Sequence, residues 1–127
     1  MAFPLQLATL PFTLAICRLD PTSPFPAWSV PSRFLAIVRT DEELSLVCEQ
    51  TLAPPDVVCE RDWRALKVAG PLDFALTGIL ARLAGPLADA GIPIFVISTY
   101  DTDYLLVKGE QLPAASAALC AAGCTVR

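Results

Sequence analysis

Apolar and polar residues alternate from residue 5 to residue 10, where Leu5 and Leu7 are set against Gln6 and Ala8. The alternation resumes after Pro11, with Phe12, Leu14 and Ile16 on one side and Thr13, Ala15 and Cys17 on the other. Period two predicts two strands, with Pro11 between them or at a strand start. Residues 20–31 hold Pro21, Pro24, Pro26 and Pro31 and predict a loop, with Trp28 as a lid on the core. Residues 34–39 read as a buried strand. Thr40, Asp41, Glu42 and Glu43 then have the form of a capping box opening a helix, with Leu44, Val47 and Cys48 as its inward stripe. Pro54 and Pro55 end it. Residues 57–59 predict a short strand, 60–62 a polar crossing and 63–68 a further strand.

In the second half, Gly70, Pro71, Leu72 and Asp73 form a tight bend into a helix. Its apolar positions, Leu72, Leu76, Ile79, Leu80, Leu83 and Leu87, follow a 3.6-residue stripe. Pro86 removes one helical bond near Arg82, and Gly91 suits the left-handed position that stops a helix. Two runs of β-branched and aromatic residues, 93–99 and 104–108, are apolar at nearly every position. They predict strands covered on both faces. Between them lies the polar tetrad Tyr100, Asp101, Thr102 and Asp103, which residue chemistry alone reads as a solvated hairpin turn. An alanine-rich helix over 110–122 has Pro113 in its first turn, Gly123 closes it, and 124–126 add an edge strand.

From residue 63 the order strand, helix, strand, strand, helix, strand is a βαββαβ unit of ferredoxin-like type. Residues 1–61 read as the same unit with its first helix missing. The predicted class is α+β, with two tandem ferredoxin-like units, residues 1–61 (degenerate) and 62–127. Antiparallel sheets carry helices on one face.

Composition narrows the function. The nine Lys and Arg are scattered and the net charge is −4, which argues against nucleic acid. The chain has no histidine, hence no commonest general base and no commonest metal ligand. The five cysteines, Cys17, Cys48, Cys59, Cys120 and Cys124, include no C-x-x-C pair and read as free thiols in a reducing cytoplasm. Residues 1–17 are apolar but lack a basic start and a cleavage site, and no run is long enough to span a membrane. No phosphate loop is present either. These features predict a soluble, non-catalytic protein without metal or cofactor.

The stretches Gly70 to Phe74, Gly78 to Leu80, Ala90 to Phe95 and above all Ile97 to Lys108 resemble the ACT-domain family. More closely they resemble the small tandem-ACT proteins of bacteria, to which the ACT domains of the eukaryotic cytosolic arginine sensor are related. The match covers residues 63–123 and weakens toward the N-terminus. It implies a regulatory or sensory domain that binds an amino acid between ACT units or at a homodimer interface. The positions that the resemblance marks as ligand-binding are Gly70, Pro71, Leu72 and Asp73 at the bend, Gly91, Ile92 and Pro93 at the next strand, and Ser98, Thr99, Tyr100, Asp101, Thr102 and Asp103 around the turn. Pro93 stands where many ACT domains carry Asn, which removes a side-chain amide and a backbone donor. Physical chemistry suggests how such a ligand sits. Backbone amides at the opening of the Leu72 helix suit a carboxylate, and Asp73, Asp101 or Asp103 suits an ammonium or a basic side chain. Glu60 and Asp62 are further acidic partners, with a solvated loop as their default. The alternative is an ACT-fold structural or protein-interaction module that holds no ligand, a reading that Pro93 favours.

Overall fold

The computed structural model describes residues 4–73 and 77–127. Two compact units divide the chain. One contains residues 12–63, and the other residues 64–127 together with the first eleven. The boundary expected from the sequence falls after residue 61. The N-terminal strand, expected in the first unit, belongs with the second.

Residues 12–63 form a four-stranded antiparallel sheet in the order β3-β4-β2-β5. Its strands are β2 (Leu14–Leu19), β3 (Ala36–Arg39), β4 (Leu44–Glu49) and the start of β5 (Val58–Val68). The unit has no α-helix, only 3-10 turns at Ala27–Ser29 and Gln50–Leu52. The helix predicted after Thr40 is therefore a hairpin. Thr40 Oγ1 does accept the amides of Glu42 and Glu43, at 3.1 and 3.2 Å. The capping chemistry exists, but it closes a turn and the chain returns as a strand. Leu44, Leu46, Val47 and Cys48 are all buried because β4 lies between β3 and β2. Trp28 packs against the cluster of Ala15, Cys17, Leu46 and Cys48, as the lid reading expects.

The polar crossing expected at residues 60–62 is instead part of one long strand, β5. Leu14 faces Trp63 while Ile16 faces Glu60, so three steps on β5 oppose two on β2. That is a β-bulge, and Asp62, at φ 68°, absorbs the extra residue. Gln50 holds it from both sides. Its Oε1 accepts the Asp62 amide at 2.5 Å, and its Nε2 donates to Asp62 Oδ1 at 3.0 Å.

Arg33 and Glu49 clamp the same unit. Arg33 donates its amide to Glu49 Oε2 at 2.6 Å, and its Nη2 and Nε to Oε1 at 2.6 and 3.0 Å. Its guanidinium lies 4.5 Å from the centre of the Phe12 ring. The Arg33 side chain and then its amide hold the Glu49 carboxyl below the usual carboxylate range. A depressed folded value means that the stabilisation is full above the unfolded value, about 4.3, and is lost as pH falls through the folded one. Glu49→Gln should therefore lower stability at pH 7 by about 1 kcal/mol, a figure discounted for the exposure of Arg33. Melting curves of the two proteins should converge as the pH is taken below 4; a constant gap would show that the charge is irrelevant.

The second unit has the order β5, α1 (Ile79–Asp89), β6 (Phe95–Ser98), β7 (Asp103–Lys108), α2 (Leu112–Ala121) and β8 (Thr125–Val126). This is the βαββαβ succession of the ferredoxin-like fold. β1 (Gln6–Thr9) is inserted into it, antiparallel to the end of β5 and parallel to β8. The sheet order is β6-β7-β5-β1-β8. Leu7, Leu66, Val68, Leu105 and Val107 pack in one cluster with Ile79, Leu83 and Leu87 of α1 and Ala115 and Leu119 of α2. Both helices therefore cover the same sheet face. Each helix ends in a glycine with positive φ, Gly91 at 73° and Gly123 at 95°. In each case the two residues after the cap donate back into the last turn, Gly91 to Ala88, Ile92 to Leu87, Gly123 to Cys120 and Cys124 to Leu119. The start of α1 differs from the expectation. The helix begins at Ile79, and Gly78, expected inside it, is its N-cap at φ 80°. Leu72 and Asp73 precede it in irregular chain, and Leu76 lies outside the described residues.

Candidate functional site

The hairpin turn between β6 and β7 is closed from within. Thr99 donates its amide and its hydroxyl to the Thr102 carbonyl, at 2.8 and 3.0 Å, and Thr99 Oγ1 accepts the Thr102 amide at 3.3 Å. Ser98 Oγ donates to Asp103 Oδ1 at 2.5 Å. The turn is also tied to the bend at residues 70–72. Buried Thr102 donates through Oγ1 to the Val68 carbonyl at 2.7 Å, and the Leu72 amide donates to the Asp101 carbonyl at 2.6 Å.

Gly70 makes this close approach possible. A Cβ there would lie 3.0 Å from the Asp101 carbonyl oxygen and 3.1 Å from Thr102 Cβ. The bend and the polar turn are distant in sequence but form one braced structure, for which residue type at 70 and hydroxyls at 99 and 102 are the requirement.

Beside this brace lies a cleft of about 320 Å³. It is lined by Leu72 and Asp73 from the bend, by Gly78, Ile79 and Leu80 from the start of α1, and by residues 98–103 from the turn. The volume is at the low end of the range for small-molecule sites. Three carboxylates, Asp73, Asp101 and Asp103, line it, and none of the lining residues is basic. The start of α1 also lines the cleft, with Gly78 as N-cap and no acid in its first turn. The first amides of a helix lack intrahelical acceptors and carry the positive end of its dipole. The lining therefore includes both acceptors and donors.

The expected site residues are thus distributed. Leu72, Asp73 and residues 98–103 share the cleft. Gly70 shapes it from behind, and Pro71 is exposed in the bend. Gly91, Ile92 and Pro93 are not among its lining residues. Gly91 and Ile92 complete the C-terminal cap of α1, and Ile92 is buried in the core. Glu60 and Asp62 belong to the other unit's strand and bulge. Gly78, Ile79 and Leu80 were missed as lining residues. Their signal was the glycine itself, which reads as a helix start once Leu72 is released from the helical stripe. Among the described residues, no group of His, Cys, Asp or Glu is arranged to hold a metal ion. No helix among them is long and apolar enough to cross a membrane.

The model of a family described as ACT domain matches residues 58–121, and a second model, of an N-terminal domain, matches residues 13–56. A protein of Agrobacterium tumefaciens with a known crystal structure is 38% identical, with a TM-score of 0.93 over 99% of this chain and 94% of that one. The mouse protein described as cytosolic arginine sensor for mTORC1 subunit 1 is 34% identical over 94 residues, which are 70% of this chain. The match spans only 27% of the sensor's length. The regulatory subunit of aspartate kinase from Thermus thermophilus superposes with a TM-score of 0.65 at 14% identity, over 91% of this chain and 95% of that one, a likeness of fold.

Proposed function

The chain belongs to the ACT-domain family, and from that premise we propose that it is a non-catalytic regulatory protein that binds a free amino acid in the cleft between the start of α1 and the turn at residues 98–103. The observation that carries this reading is the polarity of the cleft. An α-amino acid presents an anion and a cation a few ångströms apart. The first amides of α1, which follow a glycine N-cap, suit the carboxylate. Asp73, Asp101 and Asp103 suit the ammonium, or a basic side chain, through charge-assisted hydrogen bonds. The description of a relative as an arginine sensor supports the same class of ligand. Leu80 and Tyr100 on the rim are exposed, at 37% and 81%. Apolar rim residues favour a second copy closing the cleft, so a homodimer with the ligand at the interface is part of the proposal. A cytoplasmic location is part of the proposal, supported by the free thiols and by the description of a relative as cytosolic.

An ACT-fold interaction module without a ligand is the contrasting reading, and a cleft lined by both acidic side chains and a helix start favours the ligand-binding one. A thermal-shift panel of the twenty common amino acids decides between them. At a concentration one hundred times the dissociation constant, the cognate ligand stabilises by about 2.7 kcal/mol, a rise in Tm of roughly 5 to 15 °C. Asp73→Asn and Asp103→Asn should each reduce that rise, measured against the variant's own unliganded Tm. A flat panel at millimolar concentration would sink the sensor reading.

A further inference from the structure

Residues 12–63 hold three cysteines on one sheet face that the amino-acid site does not use. Cys17 and Cys59 are direct partners in the β2–β5 ladder. Their sulfur atoms are 2.7 Å apart. Cys48 faces Ala15 on the other neighbour of β2, diagonal to Cys17, and belongs to the same buried cluster. All three are free thiols. A disulfide requires paired Cβ vectors and a sulfur separation of about 2.05 Å. Cys17 and Cys59 meet the first condition by register and fall short of the second by less than 1 Å.

We propose that Cys17 and Cys59 form a reversible two-electron thiol–disulfide site, oxidised by a peroxide and restored by a dithiol. The two cysteines differ in access. Cys17 is 1% exposed, whereas Cys59 is half-buried and so meets the oxidant first. The Cys59 sulfur attacks one peroxide oxygen, the O–O bond breaks, and the thiol proton leaves with the departing oxygen as water. Cys59 is then a sulfenic acid. The Cys17 sulfur attacks the Cys59 sulfur, the S–OH bond breaks, and the hydroxyl leaves as a second water with the Cys17 proton. Two thiols and one peroxide thus become one disulfide and two waters. A hydrogen bond with Cys48, burial and the neighbouring Cys59 all push the Cys17 thiol up from its ordinary value. Cys17 therefore keeps its proton until the step in which the leaving hydroxyl takes it. That arrangement gives Cys59 the part of the oxidant-sensing thiol and Cys17 that of the resolving one.

The test treats the folded, reduced protein with a small excess of hydrogen peroxide and counts the remaining thiols. Two of the five should disappear and return on treatment with dithiothreitol. Cleavage after arginine and glutamate separates Cys48 from Cys59 at Glu49, and mass spectrometry should find the Cys17 and Cys59 peptides joined. Cys59→Ser and Cys17→Ser should each abolish the linked peptide, and Cys48→Ser should leave it. Far-ultraviolet dichroism of each variant confirms that it is folded before it is scored, and the wild-type peptide map stands without any variant. Five thiols surviving in the native protein, or a link that joins other cysteines, would overturn the proposal.

Discussion

Leu7→Ala should cost unit 64–127 about 2 to 5 kcal/mol, the range for removing a fully buried leucine side chain whose space cannot collapse. Leu7 is inaccessible to solvent and pairs with Val68 on one side and Val126 on the other. It therefore lies in the middle of a sheet, although it is only seven residues into the chain. Its side chain packs in the cluster that the two helices cover. In a protein of this size the loss corresponds to a fall in Tm of roughly 10 °C or more. Val58→Ala is the fitting control, because that side chain is 73% exposed and its removal should change stability by less than about 0.5 kcal/mol. Urea denaturation of the two variants checks both values. A Leu7→Ala midpoint equal to that of the wild type would mean that β1 is not an integral strand.

Thr102→Val should cost about 1 to 3 kcal/mol, although the two side chains have nearly the same shape. The hydroxyl donates to the Val68 carbonyl in a site that is 3% exposed. Valine leaves that carbonyl without this donor. The loss also bears on binding, because Thr102 fixes the turn that carries Asp101 and Asp103 to the bend that carries Asp73. Thr102→Ser keeps the donor and should recover most of the stability. Gly70→Ala attacks the same brace from the other side, since its Cβ must displace the Asp101 carbonyl or Thr102 itself. Calorimetric titration and denaturation on this set separate the two effects. Full stability in Thr102→Val would show that the brace carries no strength.

The residues that announced themselves in the sequence were those whose local requirement coincided with the fold. Gly91 and Gly123 are needed at positive φ, and both sit where the helical stripes end. The hairpin of residues 95–108 was legible because two apolar runs flank a turn of Asp and Thr. The residues that misled were those with two consistent local readings. Leu44, Val47 and Cys48 match helical spacing, but Leu44, Leu46 and Cys48 match a strand equally well. Val47, buried on the opposite face, breaks the alternation and completes the helical spacing. Thr40 gave a capping signal because hairpin turns use the same hydroxyl–amide bonds as helix starts. Glu60, Arg61 and Asp62 looked like a crossing because a bulge leaves polar residues in mid-strand. Half of the cleft was visible as the polar turn and the bend. The contribution of Gly78, Ile79 and Leu80 was not, because it depends on where α1 begins, and Leu72 extended the helical stripe too far toward the bend.

The place of β1 also sets an order of events in biosynthesis. Gln6 and Leu7 must wait for Thr125 and Val126, more than a hundred residues later, before the sheet of that unit can close. Until residues 66–68 are made, Leu7 has no partner strand at all, and its second one comes only with β8, whereas residues 12–63 already hold everything their own sheet requires. The middle of the chain can fold during synthesis, while the portion that bears the cleft must finish after it, at the slower rate expected of long-range strand pairing.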